Sequence, residues 1–508
     1  MHPSILLTYA QKTEPLDDVV AFLITIGSPV LAAYSLQITH LNKNWIAAAF
    51  LDVEYQNSGL IPTALAAFHH IPIKIEYYPP FLQSLVVLPK NDQYWSRLAA
   101  ANKTRRWSIP LVMSYFLAIF SVILSMADSI SSHSGDIGYA ISSIWTFLLP
   151  LILGWLHVGC EPEPCHLRSS LAAANRNAWV ATGKRDQPTR MTAPKAIEFA
   201  RADDIDLARR DEYKPVPTFN HSRAFVTPMI AEVVLRLTKN ASANARRHIP
   251  VKSTSGGEVT EWVESGGDEI LSENRVGTTT EVTEYCTRVL YLSERTSRPV
   301  TPLDIQSTDT TNSTLLDDGL ITPSRWAPGI WKRVTIASIL ALGLQWGTAG
   351  AAIFIHYLTP PAGLGCRSFA FLIYGITSTL SFLLFLASSI LAHMCRPLPG
   401  QVPTRSRSRT YQNAGAIICR WLGKCVAIVS AIGILLVCFF QVTGAFNNCF
   451  CASTVFGRWG RQSVVFTGIS FVPDSRTLSL WIGGLVAAFL TSILFGFSMY
   501  IGSPPRRY

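Results

Sequence analysis

The sequence predicts an all-α fold, a polytopic transmembrane helix bundle of about seven spans with a long, mostly disordered cytoplasmic loop. Two observations predict it. Only 15% of the 508 residues are charged, whereas about a quarter are charged in a typical soluble domain. Apolar stretches of about 20 residues without Asp, Glu, Lys or Arg recur along the chain, and this is the length that crosses a bilayer. An ordinary cytosolic enzyme or a nucleic-acid-binding protein is therefore excluded, despite the net charge of +10.

Seven stretches satisfy this criterion. They are 19–37, 107–127, 137–158, 334–357, 369–393, 425–446 and 478–501. The first is the shortest and is interrupted by Gly27 and Pro29. A cleaved signal peptide is the alternative there, but acidic residues (Glu14, Asp17 and Asp18) precede the stretch instead of a basic region. We therefore interpret it as a retained helix.

The spans divide the chain into three regions. Residues 1–158 form an N-terminal membrane region with three spans and an interfacial loop, and residues 334–508 form a C-terminal membrane region with four. Residues 159–333 form a loop that carries 23 basic and 23 acidic side chains and is rich in Ser, Thr, Gly and Pro. Such a composition buries too little apolar surface to offset the entropy of ordering, so the loop is expected to be largely disordered.

Short apolar segments lie outside the spans. In the long loop, residues 228–237 place their apolar side chains on one helical face. This indicates either a helix that docks on a partner protein or on the membrane surface, or a helix that packs on the protein itself. Residues 193–210 are expected to form a polar helix. In the first loop, residues 44–55 and 81–88 indicate helices that lie at the membrane interface or pack beneath the bundle.

The distribution of Lys and Arg predicts the orientation. Alternate segments contain 7, 23, 6 and 2 of these residues on one side and 1, 0, 1 and 3 on the other. By the positive-inside rule the N terminus is outside or lumenal and the C terminus is cytoplasmic, in a membrane that the sequence does not identify. Arg405, Arg407 and Arg409 lie in a loop without acidic residues. They are expected to contact anionic lipid headgroups, although enforcing the topology would also explain them.

One cluster has the residue types of a metal site. His157, Cys160, Cys165 and His166 lie within ten residues, and Cys and His are the usual ligands of zinc. The intervening Glu-Pro-Glu-Pro would hold the two halves apart. We therefore predict no metal and no cofactor, with an acylated cysteine beside the membrane as an alternative for this cluster.

Two further features concern packing. Cys366 and either Cys449 or Cys451 fall in loops assigned to the outside, where a disulfide between them would join the two loops. Gly343, Gly347 and Ala351 recur every four residues along one span. Small residues at this spacing allow helices to approach closely, and packing inside the bundle is favoured over a dimer interface.

Three other stretches carry a resemblance to a known group. They are Asp17-Asp18-Val-Val through Gly27-Ser28-Pro29, Asp52-Val-Glu54-Tyr, and Gly154-Trp155 leading to Glu163-Pro164 and Ala172–Trp179. Together they resemble uncharacterised multi-pass membrane proteins of filamentous fungi. The resemblance covers mainly the two ends of the chain and implies a membrane location, with no established activity and no functional residues to transfer.

The sequence favours a membrane scaffold or accessory protein whose long loop binds partners in addition to the lipid bilayer. A transporter or channel without ion coupling is the alternative, since the spans contain no formally charged residue and their histidines, among them His356 and His393, lie near helix ends. A seven-helix receptor and a membrane-embedded enzyme are less favoured. No phosphate-binding Gly-rich motif, His-Glu-x-x-His or Gly-x-Ser-x-Gly is present, so we do not expect an enzyme.

Overall fold

The computed structural model describes residues 15–76, 80–101, 116, 119–120, 123, 135–158, 164–184, 187–192, 195–199, 207–214, 216–245, 249–250, 262–263, 275, 277–287, 324–359, 363–396, 407–443, 445–446 and 475–501. Helices dominate this part of the chain. They are α1 Pro15–Gly27, α2 Pro29–Ala49, α3 Ile61–Ala67, α4 Phe81–Val87, α5 Asp92–Ala101, α6 Gly135–Trp145, α7 Leu148–Val158, α8 Pro164–Arg176, α9 Val226–Ala245, α10 Thr279–Thr287, α11 Ile330–Leu358, α12 Cys366–Cys395, α13 Arg407–Val442 and α14 Ser475–Ser498.

The strands are short and pair in twos. Strand β1 (Ile73–Ile75) is antiparallel to β4 (Ile197–Phe199), β2 (Trp179–Val180) to β3 (Thr189–Arg190), and β5 (Ile249–Pro250) to β6 (Trp262–Val263). Three 3₁₀ helices, Pro89–Asn91, Leu207–Tyr213 and Pro217–Arg223, complete the regular elements of the described residues.

Five segments of the described chain are long and apolar enough to cross a membrane, namely the α6–α7 pair from Gly138 to Val158 and the helices α11, α12, α13 and α14. Side chains such as Ile339, Val429 and Leu494 are more than 60% exposed on these helices. Large apolar side chains in contact with water would be unfavourable, whereas lipid is a suitable neighbour for them. These helices are the ones expected of an integral membrane protein.

The first predicted span is not a straight helix. Helices α1 and α2 together are apolar enough to count as a sixth candidate, but their axes meet at 100° around Ser28. Pro29 has no N–H to continue the helical hydrogen bonds. Gly27 lies so close to α13 that a Cβ atom added to it would be 1.8 Å from the carbonyl oxygen of Ala427. The span 107–127 lies almost entirely outside the described residues, so the count here is five or six.

The parts of the long loop that the structure describes are folded, whereas the sequence predicted a largely disordered segment. Helices α8, α9 and α10 share one continuous apolar core with α3, α4 and α5 of the first loop. We call this unit the loop domain. A bidentate ion pair between Arg275 and Asp92, with Nη–Oδ distances of 2.9 and 2.5 Å, joins its two sequence regions. The predicted helix over 193–210 is also wrong, because Ile197–Phe199 is strand β4 and Leu207–Tyr213 is a 3₁₀ helix.

The loop domain also accounts for the short apolar segments. The apolar face of 228–237 is buried, with Val234 fully buried and Ile230 1% exposed. It packs on the protein itself, so the prediction of a free docking helix for a partner is wrong for this face. Ile46 and Leu85, from the two apolar segments of the first loop, belong to the same core. They therefore pack beneath the bundle, which was the alternative to an interfacial position.

Candidate site at the helix break

In the described part of the bundle, two large apolar clusters fill the interior, and polar residues lie on the helices between one cluster and the other. At several places along the chain, a short interval separates a residue of one cluster from a residue of the other. The pairs of residues that bound these intervals are Ile26 and Val30, Ile144 and Phe147, Leu344 and Ala349, Tyr374 and Phe382, Ala427 and Ala431, and Leu485 and Phe495. The polar residues in these intervals are Ser28, Thr146, Gln345, Thr348, Thr377, Ser378, Thr379, Ser381, Ser430, Thr491 and Ser492. We call them the polar level. It lies near the middle of α11 and α12, where a bilayer is most apolar.

The break between α1 and α2 lies at the polar level and is held by α12. The Ser28 hydroxyl donates a hydrogen bond to the Ser378 carbonyl oxygen at 2.9 Å, and the Tyr374 hydroxyl donates to the Ile26 carbonyl oxygen at 2.7 Å. Interrupting a helix in an apolar environment frees backbone groups that must find new partners. Tyr374 supplies one such partner, so the break is built into the packing.

Several polar groups near this level have no hydrogen-bond partner among the described residues. Gln345 is 1% exposed, and both its amide nitrogen and its amide oxygen are unpaired. The hydroxyl oxygens of Ser378, Ser142 and Tyr34 are also buried and unpaired. Burying each such group costs roughly 1–3 kcal/mol of lost hydration, and no hydrogen bond to another described residue offsets this cost. The interior therefore has capacity to hydrogen-bond a polar molecule.

Other polar side chains at the level are satisfied within the bundle. The Ser492 hydroxyl donates to the Thr146 carbonyl oxygen at 3.3 Å, and Thr377 donates to the Ser430 hydroxyl at 3.0 Å. These contacts join neighbouring helices by hydroxyl hydrogen bonds. The Gln345 amide and the Ser378 hydroxyl, which are unpaired, are therefore exceptions at this level of the bundle.

The two 3₁₀ helices Leu207–Tyr213 and Pro217–Arg223 enter the bundle from the loop-domain side, and we call them the insert. They pack against α1, α2, α12 and α13. The Thr218 hydroxyl lies 2.9 Å from the Thr25 hydroxyl, and the Ser35 hydroxyl donates to the Thr218 carbonyl oxygen at 2.9 Å. Thr25 is three residues before Ser28, so the insert extends almost to the helix break.

Two ion pairs fasten the insert to the membrane helices. Asp211 Oδ1 lies 2.6 Å from Lys424 Nζ on α13, and Glu212 Oε2 lies 2.5 Å from Arg396 Nη2 at the end of α12. The Asp211 and Glu212 side chains are 4% and 8% exposed. Carboxylates so deeply buried require a compensating cation, so each pair constrains the position of the insert.

A buried arginine connects the insert to the loop domain. Arg223 is 2% exposed. Its guanidinium donates to the His69 carbonyl oxygen at 2.7 Å, to the Lys214 carbonyl oxygen at 3.0 Å and to Asn220 Oδ1 at 2.6 Å. Burial keeps the neighbouring imidazoles neutral. It lowers the pKa of His70 to about 3, with a further contribution from Arg223, and it lowers the pKa of His221 to about 4 against the opposing hydrogen bond to the Thr218 carbonyl.

No family model matches the chain, and no curated protein or solved structure is detectably similar to it. The geometry at the helix break is therefore the basis for inferring a function.

The predicted metal cluster is only partly described. The His157 ring centroid lies 4.4 Å from that of Tyr500 and 5.8 Å from that of His40. His157 also lines a half-open apolar groove of about 440 Å³ between α7 and α14. Cys160 and the side chains of Cys165 and His166 lie outside the described residues, which contain no group of three or more potential metal ligands.

Cys366 is disulfide-bonded. Cys449 and Cys451 lie outside the described residues, so the identity of its partner stays a prediction. Cys286, Cys419, Cys425 and Cys438 are free cysteines.

The stripe of small residues divides between two environments. A Cβ atom on Gly347 would lie 2.3 Å from Thr491 of α14, and Ala351 is buried. A Cβ atom on Gly343 would meet nothing within 4 Å. The stripe thus packs inside the bundle at Gly347 and Ala351 but not at Gly343.

The predicted arginine patch lies at the start of α13. Arg405 and the side chain of Arg407 fall outside the described residues, and Arg409 is half-buried. Contact with lipid headgroups stays a prediction. Sequence reasoning noted Gln345 as a polar residue of its span but did not identify Thr218, Asp211 or Lys424, because none of these three is part of a recognisable motif.

Proposed function

We propose that this protein is a membrane transporter without ion coupling, in a state closed on the side of the loop domain. The observation that carries the proposal is the polar level halfway through the bundle, which contains both the helix break at Ser28 and the unpaired amide of Gln345. Transporters commonly bind their substrates near the middle of the membrane, at interrupted helices. The unpaired buried amide supports a site that a substrate completes.

The absence of charge at the polar level supports transport without ion coupling. Among the described residues, the intervals between the two apolar clusters contain no Asp, Glu, Lys or Arg. Coupling to protons or cations usually requires such a residue within a span. A facilitator, which moves its substrate down a gradient, fits this composition.

The insert supports a state closed on one side. It occupies the bundle between the loop domain and the helix break, and Thr218 contacts Thr25 close to that break. A molecule at the polar level reaches the loop-domain side only when the insert moves. We therefore assign the insert the role of a gate.

We propose the same orientation as the positive-inside rule predicts, with the loop domain in the cytoplasm. The first and third loops share the core of this domain, and α12 at its end and α13 at its middle contact the insert through Arg396 and Lys424. These are the segments rich in Lys and Arg.

A membrane scaffold is the second candidate function, because its main support was a long loop available to bind partners. The segment selected for partner binding, 228–237, is covered by the protein itself. A scaffold function would be favoured again if the reconstituted protein transported no solute and the long loop bound a partner protein.

A disulfide lock between the insert and α1 tests the proposal. Thr25→Cys and Thr218→Cys are combined, since the two hydroxyl oxygens are 2.9 Å apart. The protein is reconstituted in vesicles, and the uptake of sorbitol, urea, alanine, succinate and choline is compared with uptake in protein-free vesicles. We expect uptake of at least one solute, its loss when the double variant is oxidised, and its recovery after reduction.

The two single-cysteine variants receive the same oxidation and reduction, which controls for effects on Cys366. Mass spectrometry verifies the new disulfide. The transporter proposal is wrong if no solute enters faster than in protein-free vesicles. The gate assignment alone is wrong if the oxidised double variant transports as fast as the reduced one.

A further inference from the structure

We propose that the substrate is a small uncharged molecule rich in hydrogen-bonding groups, of the polyol or amide class, which binds at the amide of Gln345. This inference rests on the proposed transport function and specifies its substrate. It follows from the chemistry of the polar level and from the groups that are left unpaired there.

The first step concerns Gln345. A primary amide offers two N–H donors and a carbonyl acceptor, and here both polar atoms are unpaired while the side chain is 1% exposed. A ligand that satisfies it must carry both a donor and an acceptor. A hydroxyl group is both, and so is an amide.

The second step concerns the neighbouring hydroxyls. Ser378, within the interval that separates the two apolar clusters, and Ser142, two residues before Ile144, have unpaired hydroxyl oxygens. Tyr34, six residues after Ser28 on α2, has a buried hydroxyl oxygen that is also unpaired. Each hydroxyl both donates and accepts. The set complements a molecule with several hydroxyl or amide groups.

The third step excludes charged substrates. The described intervals contain no ionisable side chain that could neutralise a carboxylate or an ammonium group. An unpaired charge in a medium of low dielectric constant costs far more than an unpaired hydroxyl. Asp211 and Lys424 are already paired with each other in the insert contact. A neutral solute is therefore the class that the polar level accommodates.

The test compares neutral with charged solutes and replaces Gln345. Initial uptake rates are measured for sorbitol and urea, which are neutral, and for alanine, succinate and choline, which carry charges. We expect faster uptake of at least one neutral solute than of any charged one. Gln345→Leu should reduce this uptake about tenfold, the effect of losing roughly 1.4 kcal/mol of hydrogen bonding to the substrate.

Gln441→Leu is the matched control. Gln441 is also 1% exposed with both amide atoms unpaired, but it lies 11 residues after Ser430 on α13, roughly 16 Å from the polar level. Its replacement should leave uptake unchanged. Both substitutions replace an unpaired polar group with an apolar one, so neither should lower the melting temperature.

The outcomes separate the two proposals. Transport of a charged solute in preference to both neutral ones would overturn the substrate class and leave the transport function standing. Equal effects of Gln345→Leu and Gln441→Leu would overturn the binding site. A complete lack of uptake would overturn the transport function itself.

Discussion

Buried charges at the insert show how single residues constrain this fold. Lys424 compensates Asp211, whose side chain is 4% exposed. Arg236 and Glu232 form a pair with a similar distance, 2.7 Å, but the Arg236 side chain is 40% exposed. Water already solvates an exposed pair, whereas a buried carboxylate that loses its cation has no substitute.

Replacing Lys424 by Met should therefore be costly. We expect a loss of about 3–5 kcal/mol in the free energy of unfolding, measured by thermal or denaturant unfolding in detergent. Arg236→Ala is the control and should cost less than about 1 kcal/mol. Adding Asp211→Asn to Lys424→Met should recover part of the loss, because the uncompensated charge is removed. Equal effects of the two single substitutions would contradict the structural role of the buried pair.

Acid should destabilise the junction between the insert and the loop domain. Burial lowers the pKa of His70 to about 3 and that of His221 to about 4, whereas both are near 6.5 in the unfolded chain. Between these folded-state pKa values and 6.5, the unfolded state therefore binds more protons than the folded state. Stability is fully present above about pH 6.5 and falls below it by up to 1.4 kcal/mol per pH unit for each histidine.

Melting temperatures measured from pH 7.5 to pH 5 check this dependence. Replacing His70 with Asn should make the decline on the acid side shallower than in the unsubstituted protein, because one proton-binding difference is lost. A melting temperature that is constant over this range would contradict the neutral, buried state of both imidazoles.

At the scale of elements, the helix break depends on close contact between α1 and α13. A Cβ atom on Gly27 would be 1.8 Å from a backbone oxygen, which cannot move away as a flexible side chain can. Gly27→Ala should therefore separate the helices and cost about 1–3 kcal/mol or more. The unfolding transition in detergent measures this cost.

Gly343→Ala is the matched control, because its new Cβ would meet nothing within 4 Å. It should be neutral or should stabilise α11 by up to about 1 kcal/mol, since alanine favours helix over glycine. If Gly27→Ala were as well tolerated as Gly343→Ala, the tight contact at the break would be disproved.

The elements themselves were predicted to different degrees. The spans corresponding to α6–α7 and α11 to α14 follow from long charge-free stretches, because length and hydropathy are local properties. The bend at Ser28 was signalled only by Gly27 and Pro29, which permit a break without fixing its angle. The folding of α8, α9 and α10 was missed, because their apolar partners lie in the first loop, more than 60 residues earlier in the chain. A loop that appears too polar to fold alone can fold onto another loop.

At the scale of the whole molecule, the orientation can be tested with the protein's own glycosylation motifs. Asn220 is fully buried, and Asn240 donates a hydrogen bond to the Cys286 carbonyl oxygen at 2.7 Å. Both head Asn-x-Ser sequences on the side that we assign to the cytoplasm. We expect no change in electrophoretic mobility on enzymatic deglycosylation of protein expressed in a eukaryotic cell. A shift that disappears on Asn220→Gln and Asn240→Gln would reverse the orientation.

The amino-acid sequence by itself determined the class of this protein, a chain of apolar helices separated by polar connections, and the pattern of basic residues that predicts its orientation. These properties depend on composition within short windows. Only the tertiary structure decided that the helices meet at an uncharged polar level, that Gln345 remains unpaired there, and that Asp211 and Glu212 fasten the insert to α13 and α12. Those features arise from contacts between residues distant in the chain, and a single sequence carries no local pattern from which such contacts can be read.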